Sequence, residues 1–105
     1  MVRFRFIRQV RLGQFPRALE LAEEMSAVQR DRGWPEGTHW LVVGGTVSTL
    51  ITEMEFPSLA SMEEMQDKAD ADAEHVSLRR KAAEHTVEGL ARIEILKTAP
   101  HLGRS

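Results

Sequence analysis

The sequence contains no cysteine, no tyrosine and no asparagine. Without cysteine, a disulfide, a thiolate metal ligand and a cysteine nucleophile are all excluded. Without tyrosine, no phenolic hydroxyl can serve as a general acid or base. The four histidines are therefore the only side chains that ordinarily titrate near neutral pH, and acid–base chemistry at that pH depends on them.

The sequence also lacks a long apolar run and a strong charge of either sign. No apolar stretch approaches the roughly 18 residues that a membrane-spanning helix requires. Lys and Arg number 14 and Asp and Glu 16, a formal net charge of −2, whereas proteins that bind nucleic acid by bulk charge are strongly basic. With 105 residues and no signal peptide, we expect one cytoplasmic domain that contacts neither membrane nor nucleic acid.

The N-terminal half alternates between strand and helix patterns. Apolar and polar residues alternate from Val2 to Leu12, as in a half-buried strand. From Phe15 to Val28 apolar residues recur at helical spacing, with Gly33 placed as the left-handed residue after the helix. A hairpin then follows, with strands at His39–Val43 and Val47–Phe56 and a glycine turn at Gly44-Gly45-Thr46.

The C-terminal half predicts two helical stretches and a last strand. Ser58 or Ser61 is placed to cap a helix, and Ser61 and Glu64 have the spacing of a capping box. A further helical stretch runs from about His75 to Val87, and Gly89 breaks it before a strand at Leu90–Lys97. We expect one domain over residues 1–98 and a mobile tail over residues 99–105.

These elements predict an α+β fold of the ferredoxin-like type, β-α-β-β-α-β. Right-handed crossovers give a four-stranded antiparallel sheet in the order 4-1-3-2, with the helices on one face. The other face mixes arginines, glutamates and apolar residues: Arg3, Arg5, Ile7, Gln9, Arg11, Val47, Thr49, Ile51, Glu53, Glu55, Leu90, Arg92, Glu94 and Leu96. Such a face favours a homodimer whose two sheets pack together, the alternative being a monomer with a polar open face.

Several segments carry a likeness to a known family. They are Gly13 after the first strand, the helix entry Phe56-Pro57-Ser58-Leu59-Ala60-Ser61, the stretch from Asp72-Ala73-Glu74 through Leu78-Arg79-Arg80 to Glu84, and the final strand Arg92-Ile93-Glu94-Ile95-Leu96-Lys97. On these residues the chain resembles the dimeric α/β-barrel superfamily, and within it the NIPSNAP-like branch, from Val2 to Thr98. None of these segments is catalytic, so the resemblance implies a fold and a dimer more strongly than a reaction.

Members of the superfamily include cofactor-free monooxygenases, polyketide cyclases, haem-degrading enzymes and proteins without established activity. The resemblance implies a cleft between the helices and the sheet. In this chain the cleft would be lined by Phe4, Phe6, Arg8, Val10, Leu50, Thr52, Met54, Phe56 and one or both of His39 and Trp40. The haem-degrading branch uses a histidine, a tryptophan and a first-strand asparagine; His75 and Trp40 match the first two loosely, and the asparagine is missing. We therefore expect no cofactor.

Arg8 interrupts the apolar face of the first strand. Buried there, it would have to meet a carboxylate, carbonyl groups or an anionic or enolic ligand, because an unpaired buried charge is costly. Alternatively, it extends to solvent beside a bulge or pairs with a helix glutamate. Its place among apolar residues makes it a candidate ligand-binding side chain.

His39 and Trp40 are neighbours on a strand, so only one of them can face the cleft. A histidine there could remove a proton next to a carbonyl, and His39 is the candidate catalytic base. Arg8, Phe6, Trp40, Thr52 and Met54 are the candidate ligand-binding residues. An exposed His39 at the start of an edge strand is the alternative.

No spacing in the sequence predicts a metal site. His75 and His85 are ten residues apart, not four as in a pair of ligands on one helix face. The acidic run from Asp67 to Glu74 lacks the glycine and terminal glutamate of a calcium loop.

The prediction is thus a homodimer whose clefts bind an apolar, aromatic or polyketide-like molecule, with cofactor-independent monooxygenase or cyclase chemistry as one outcome. The alternative is a non-catalytic accessory or interaction dimer of NIPSNAP type, whose cleft is filled by its own Met and Phe side chains. Haem binding ranks below both.

Overall fold

A computed structural model describes residues 1–44 and 48–98 of the chain. The elements are β1 (Val2–Val10), α1 (Phe15–Asp31), β2 (Thr38–Leu41), β3 (Thr49–Phe56), α2 (Leu59–Asp70), α3 (Ala73–Ala83) and β4 (Thr86–Lys97). Among the helices of this described part, none is long and apolar enough to cross a membrane. The predicted turn residues Gly45 and Thr46, Val47, and the predicted tail from Ala99 onward lie outside the described residues.

The four strands form one antiparallel sheet in the order β2-β3-β1-β4. This is the predicted 4-1-3-2 order with β1 and β3 at the centre, and the ferredoxin-like α+β fold is confirmed. Arg8 lies opposite Leu50, and Phe6 lies opposite Thr52. This register puts the even-numbered residues of both central strands on the helix-facing side, as their alternation requires.

The other face of the sheet holds a row of ion pairs. Arg3 pairs with Glu55 across β1 and β3, and Arg5 lies 2.8 Å from Glu53 and 3.4 Å from Glu94. The glutamates of β3 therefore meet the arginines of β1, as their shared face predicted.

Helix α1 packs its apolar stripe against the sheet and against α3. Ala18 and Ala22 lie in a buried cluster with Val10 and Leu50 of the sheet. The helix ends at Asp31, and Gly33 has the left-handed conformation (φ +72°) predicted for the residue after a helix.

The region after β3 corrects several expectations. The capping box at the start of α2 joins Ser58 to Ser61, so the Ser61 to Glu64 pairing is wrong. The acidic run contains the break between two helices, and Asp72 accepts a hydrogen bond from the backbone of His75 to cap α3.

The helix predicted to reach Val87 ends at Ala83, and β4 begins at Thr86. Arg8 pairs with Ala91 and Val10 pairs with Thr86, so the residues between Thr86 and Ala91 form a bulge. Gly89, at φ +79°, belongs to this bulge and does not end a helix.

Two further strand boundaries differ from the predictions. Strand β1 ends at Val10, and Leu12, expected at its end, is 83% exposed. Strand β2 spans Thr38–Leu41, whereas His39–Val43 was expected. Both strands keep the predicted side-chain alternation, so these shifts leave the sheet faces unchanged.

Candidate functional site

A cavity of about 740 Å³ lies between the helices and the sheet. Its volume is within the range of small-molecule sites in proteins. Phe6, Thr52 and Met54 of the predicted cleft line it together with Arg8 and His39. Apolar side chains of the helices complete the wall, among them Ala22, Met25, Met65, Ala69 and Ala82.

Arg8 lies in this wall with only 5% of its surface exposed. Its Nη1 donates to Thr52 Oγ1 at 3.1 Å and to the Phe6 carbonyl oxygen at 3.4 Å. Its guanidinium carbon lies 4.8 Å from the centre of the Phe6 ring, a cation–π contact. Neither alternative, extension into solvent or pairing with a helix glutamate, describes this side chain.

The charge of Arg8 is not neutralised within the described part of the chain. No carboxylate there lies within ion-pair distance of its guanidinium. Burial lowers the pKa of Arg8 to about 10 because a charged guanidinium loses hydration in the cavity wall. At neutral pH the group is still a cation.

His39 faces the cavity from the edge strand β2. Its Nδ1 lies 2.9 Å from Thr52 Oγ1, and its Nε2 lies 2.9 Å from Ser26 Oγ on α1. Burial lowers the pKa of His39, and the positive charge of Arg8 lowers it further. Both effects favour the neutral imidazole, which is the form that a general base needs.

Trp40 points the other way. It pairs with Ile51 on the sheet face opposite the helices, and it is 53% exposed. Because side chains alternate along a strand, an inward His39 puts Trp40 outside. Its prediction as a ligand-binding residue of the cleft is wrong.

Arg8, Thr52, His39 and Ser26 form one hydrogen-bonded chain. Arginine only donates, so the Thr52 hydroxyl oxygen accepts from Arg8. We assign the hydroxyl hydrogen of Thr52 to His39 Nδ1, which leaves the Nε2–H of His39 to donate to Ser26. Both ring nitrogens thus have a hydroxyl partner, and Thr52 is the group through which a proton could reach Nδ1.

His75 lines the same cavity from α3 and is 6% exposed. Its Nε2 lies 3.4 Å from the Gln29 amide nitrogen, and its Nδ1 has no hydrogen-bond partner among the described residues. Burial lowers the pKa of His75, and the charge of Arg79 also lowers it. The ten-residue spacing of His75 and His85 predicted no role for His75. His75 reaches the cavity because the fold packs α3 beside it, which the spacing along the helix does not show.

Ser26 and Gln29 are cavity residues that the sequence interpretation missed. Both lie on the inward face of α1 and are almost fully buried. Ser26 follows the stripe residue Ala22 by four positions, and Gln29 follows Met25 by four. A polar residue at the spacing of an apolar stripe was the signal that could have found them.

The described residues hold no cluster of three or more His, Asp or Glu side chains suited to a metal ion. His85, the second histidine of the late helical segment, is not among the described residues that line the cavity. Its Nδ1 is 2.8 Å from the Gln14 side-chain oxygen.

The overall structure is similar to several solved structures, although no family model and no curated protein matches the chain. The protein Atu4242 from Agrobacterium tumefaciens superposes with a TM-score of 0.79 and 19% identity over 94% of each chain. A NIPSNAP domain protein from Burkholderia xenovorans gives 0.78 and 10% identity over 100% of this chain and 99% of its own. The chain has a NIPSNAP-like, ferredoxin-like fold.

The NIPSNAP-like fold extends to proteins with a different name. A structure described as an antibiotic biosynthesis monooxygenase superposes with a TM-score of 0.70 and 15% identity, over 95% of this chain and all of the other. At such identities the likeness shows the fold alone, so function has to be argued from the cavity.

Proposed function

We propose that the cavity binds a small, mostly apolar molecule of aromatic or polyketide type. The observation that carries this proposal is a cavity of about 740 Å³ with apolar walls on which Arg8, Thr52, His39 and Ser26 converge. Apolar walls supply affinity, and a few placed polar groups orient the ligand.

The same geometry supports a proton-transfer step as the chemistry of the site. In it, the Thr52 hydroxyl oxygen accepts a proton from a carbon next to a carbonyl and passes its own hydrogen to His39 Nδ1. The electron pair of that C–H bond stays on the ligand as an enolate. Cofactor-independent monooxygenation and cyclisation both begin with such a step, and the fold shared with an antibiotic biosynthesis monooxygenase supports this reading.

We also propose that the protein is a homodimer formed through the open sheet face. That face presents the half-exposed Trp40 opposite Ile51, and the partly exposed Leu96 opposite Arg3. Its charged side chains are largely paired within the subunit, so they oppose burial less than free charges would.

Binding can be tested with the neutral fluorophore N-phenyl-1-naphthylamine. We expect a saturable rise in its fluorescence, and weaker binding when Met25→Trp fills part of the cavity. The matched control is Ala27→Trp, on the exposed side of the same helix, which leaves binding unchanged. Fluorescence that does not saturate, or that responds equally to both variants, would overturn the proposal.

Chemistry can be tested with the anthrone dithranol in an oxygen electrode. If the wild-type protein consumes oxygen and the His39→Gln variant does not, the result supports His39 as the general base. The competing reading is a non-catalytic accessory dimer, and ligand binding without oxygen uptake would favour it. In one version of this alternative, Met and Phe side chains fill the cleft. The open cavity argues against that version.

A further inference from the structure

The buried charge of Arg8 carries an inference about the ligand. Arg8 Nη1 is held by Thr52 and by the Phe6 carbonyl oxygen. Its Nε and Nη2 groups have no hydrogen-bond partner in residues 1–44 and 48–98. Both groups keep some accessible surface. The Nε–Nη2 edge of the guanidinium is therefore free to bind a group in the cavity.

The cavity wall as a whole carries positive charge. Three arginines and one aspartate line it: Arg8, Arg11, Arg79 and Asp70. Arg79 lies 2.8 Å from Asp70, so this pair is internally neutralised. The charges of Arg8 and Arg11 are left, although the chain as a whole has a formal net charge of −2.

We propose that the ligand of the cavity is an organic acid, with its carboxylate on Arg8 and its apolar body against Phe4, Met25 and Met54. The inference rests on the proposed function, because it names the chemical class that the same cavity takes. The free Nε–Nη2 edge of Arg8 offers two parallel donors, and a carboxylate has the two oxygens that match them. An ion pair formed in a partly desolvated wall is stronger than the same pair in water.

The proposal has a consequence for His39. The positive charge of Arg8 disfavours the imidazolium form of His39, to which it is linked through Thr52. A carboxylate on Arg8 neutralises that charge. Binding of an acid therefore raises the pKa of His39, whereas binding of a neutral molecule in the same cavity does not change the influence of Arg8.

The test compares 2-naphthoate with 2-acetylnaphthalene, which is similar in shape and uncharged. Isothermal titration calorimetry near neutral pH should give an affinity on the order of tenfold higher for the acid. Arg8→Gln should remove this preference. The control Arg17→Gln, on the exposed side of α1 beside Glu20, should keep the preference.

The outcomes separate this inference from the proposed function. If the ketone binds as tightly as the acid, the cavity binds apolar molecules but the acid proposal is wrong. If neither compound binds, both proposals fail. A preference for the acid that survives in Arg8→Gln would also overturn the assignment to Arg8.

A second measurement does not depend on a folded Arg8 variant. The ring resonances of His39 in the wild-type protein, followed by NMR against pH, should show a higher pKa with 2-naphthoate than with 2-acetylnaphthalene. Equal titration curves with the two compounds would contradict binding of the carboxylate at Arg8.

Discussion

At the scale of single residues, the buried charge of Arg8 lowers the stability of the fold but suits the binding of an anionic ligand. Its neighbours along the inward face of β1 are Phe6 and the fully buried Val10, and it has hydrogen bonds but no opposite charge among the described residues. Desolvation of a cation without a paired anion destabilises the folded state. A side chain kept there at such a cost fits a site that gains its anion from a ligand.

Replacement of Arg8 by methionine should therefore not destabilise the empty protein. Methionine keeps an apolar stem of similar length and removes the buried charge, so we expect the free energy of unfolding to stay level or rise by about 1 kcal/mol. Urea unfolding followed by circular dichroism measures this. The control is Arg8→Ala, which leaves a void and should lower the free energy of unfolding. A large loss in Arg8→Met would mean that Arg8 is chiefly structural.

The buried histidines make stability depend on pH. Burial lowers the pKa of His39 and His75 below the ordinary value of 6.5, so the unfolded chain binds their protons more readily than the folded one. The free energy of unfolding should fall as pH drops through 6.5, by at most about 1.4 kcal/mol per pH unit for each proton. Urea unfolding at a series of pH values gives the slope, which the double variant His39→Gln, His75→Gln should flatten. A slope of opposite sign would contradict the described environments.

At the scale of elements, the parts with strong repeats could be predicted from the sequence. The period-two pattern of β1 predicted which side chains lie on each face of the sheet. The same pattern in β3 predicted that Glu53 and Glu55 pair with the arginines of β1. The end of α1 followed from Gly33, because a left-handed residue after a helix favours glycine. These signals are local, so they need no knowledge of the fold.

Features that depend on distant contacts could not be predicted. The stretch from Glu84 to Gly89 has a weak helical pattern, but pairing of Thr86 with Val10 draws it into the sheet as a bulged strand. The orientation of His39 depends on the register of an edge strand only four residues long. His75 comes close to Gln29 only because α3 packs against α1.

Helix α2 offers a test of a local signal. Its first turn is closed by reciprocal hydrogen bonds: the Ser61 N–H donates to Ser58 Oγ at 3.1 Å, and the Ser58 N–H donates to Ser61 Oγ at 3.2 Å. Ser58→Ala should lower the free energy of unfolding by about 1 kcal/mol. The control is Ser77→Ala on the exposed side of α3, which should change it little. An equal effect of both substitutions in urea unfolding would show that the cap does not hold the helix.

At the scale of the whole molecule, the charges of the sheet are arranged within one subunit. Arg5 lies between Glu53 and Glu94, so one arginine of a central strand binds glutamates of the strands on both sides. Ion pairs that are complete within the subunit need no charged partner across an interface. In the proposed dimer, exposed apolar side chains of this face, among them Trp40 and Leu96, would supply the contacts.

Dimerisation through this face predicts a mass twice 11.9 kDa in solution. Light scattering on the purified protein measures it, and we expect Trp40→Glu combined with Leu96→Glu to shift the mass toward that of the monomer. A buried carboxylate without a partner opposes association, whereas an exposed carboxylate on a monomer surface is well hydrated. Leu12→Glu, at a site 83% exposed and away from the sheet face, is the matched control and should leave the dimer intact. A wild-type mass of 11.9 kDa at micromolar concentration, or equal dissociation by both sets of substitutions, would contradict an interface at Trp40 and Leu96.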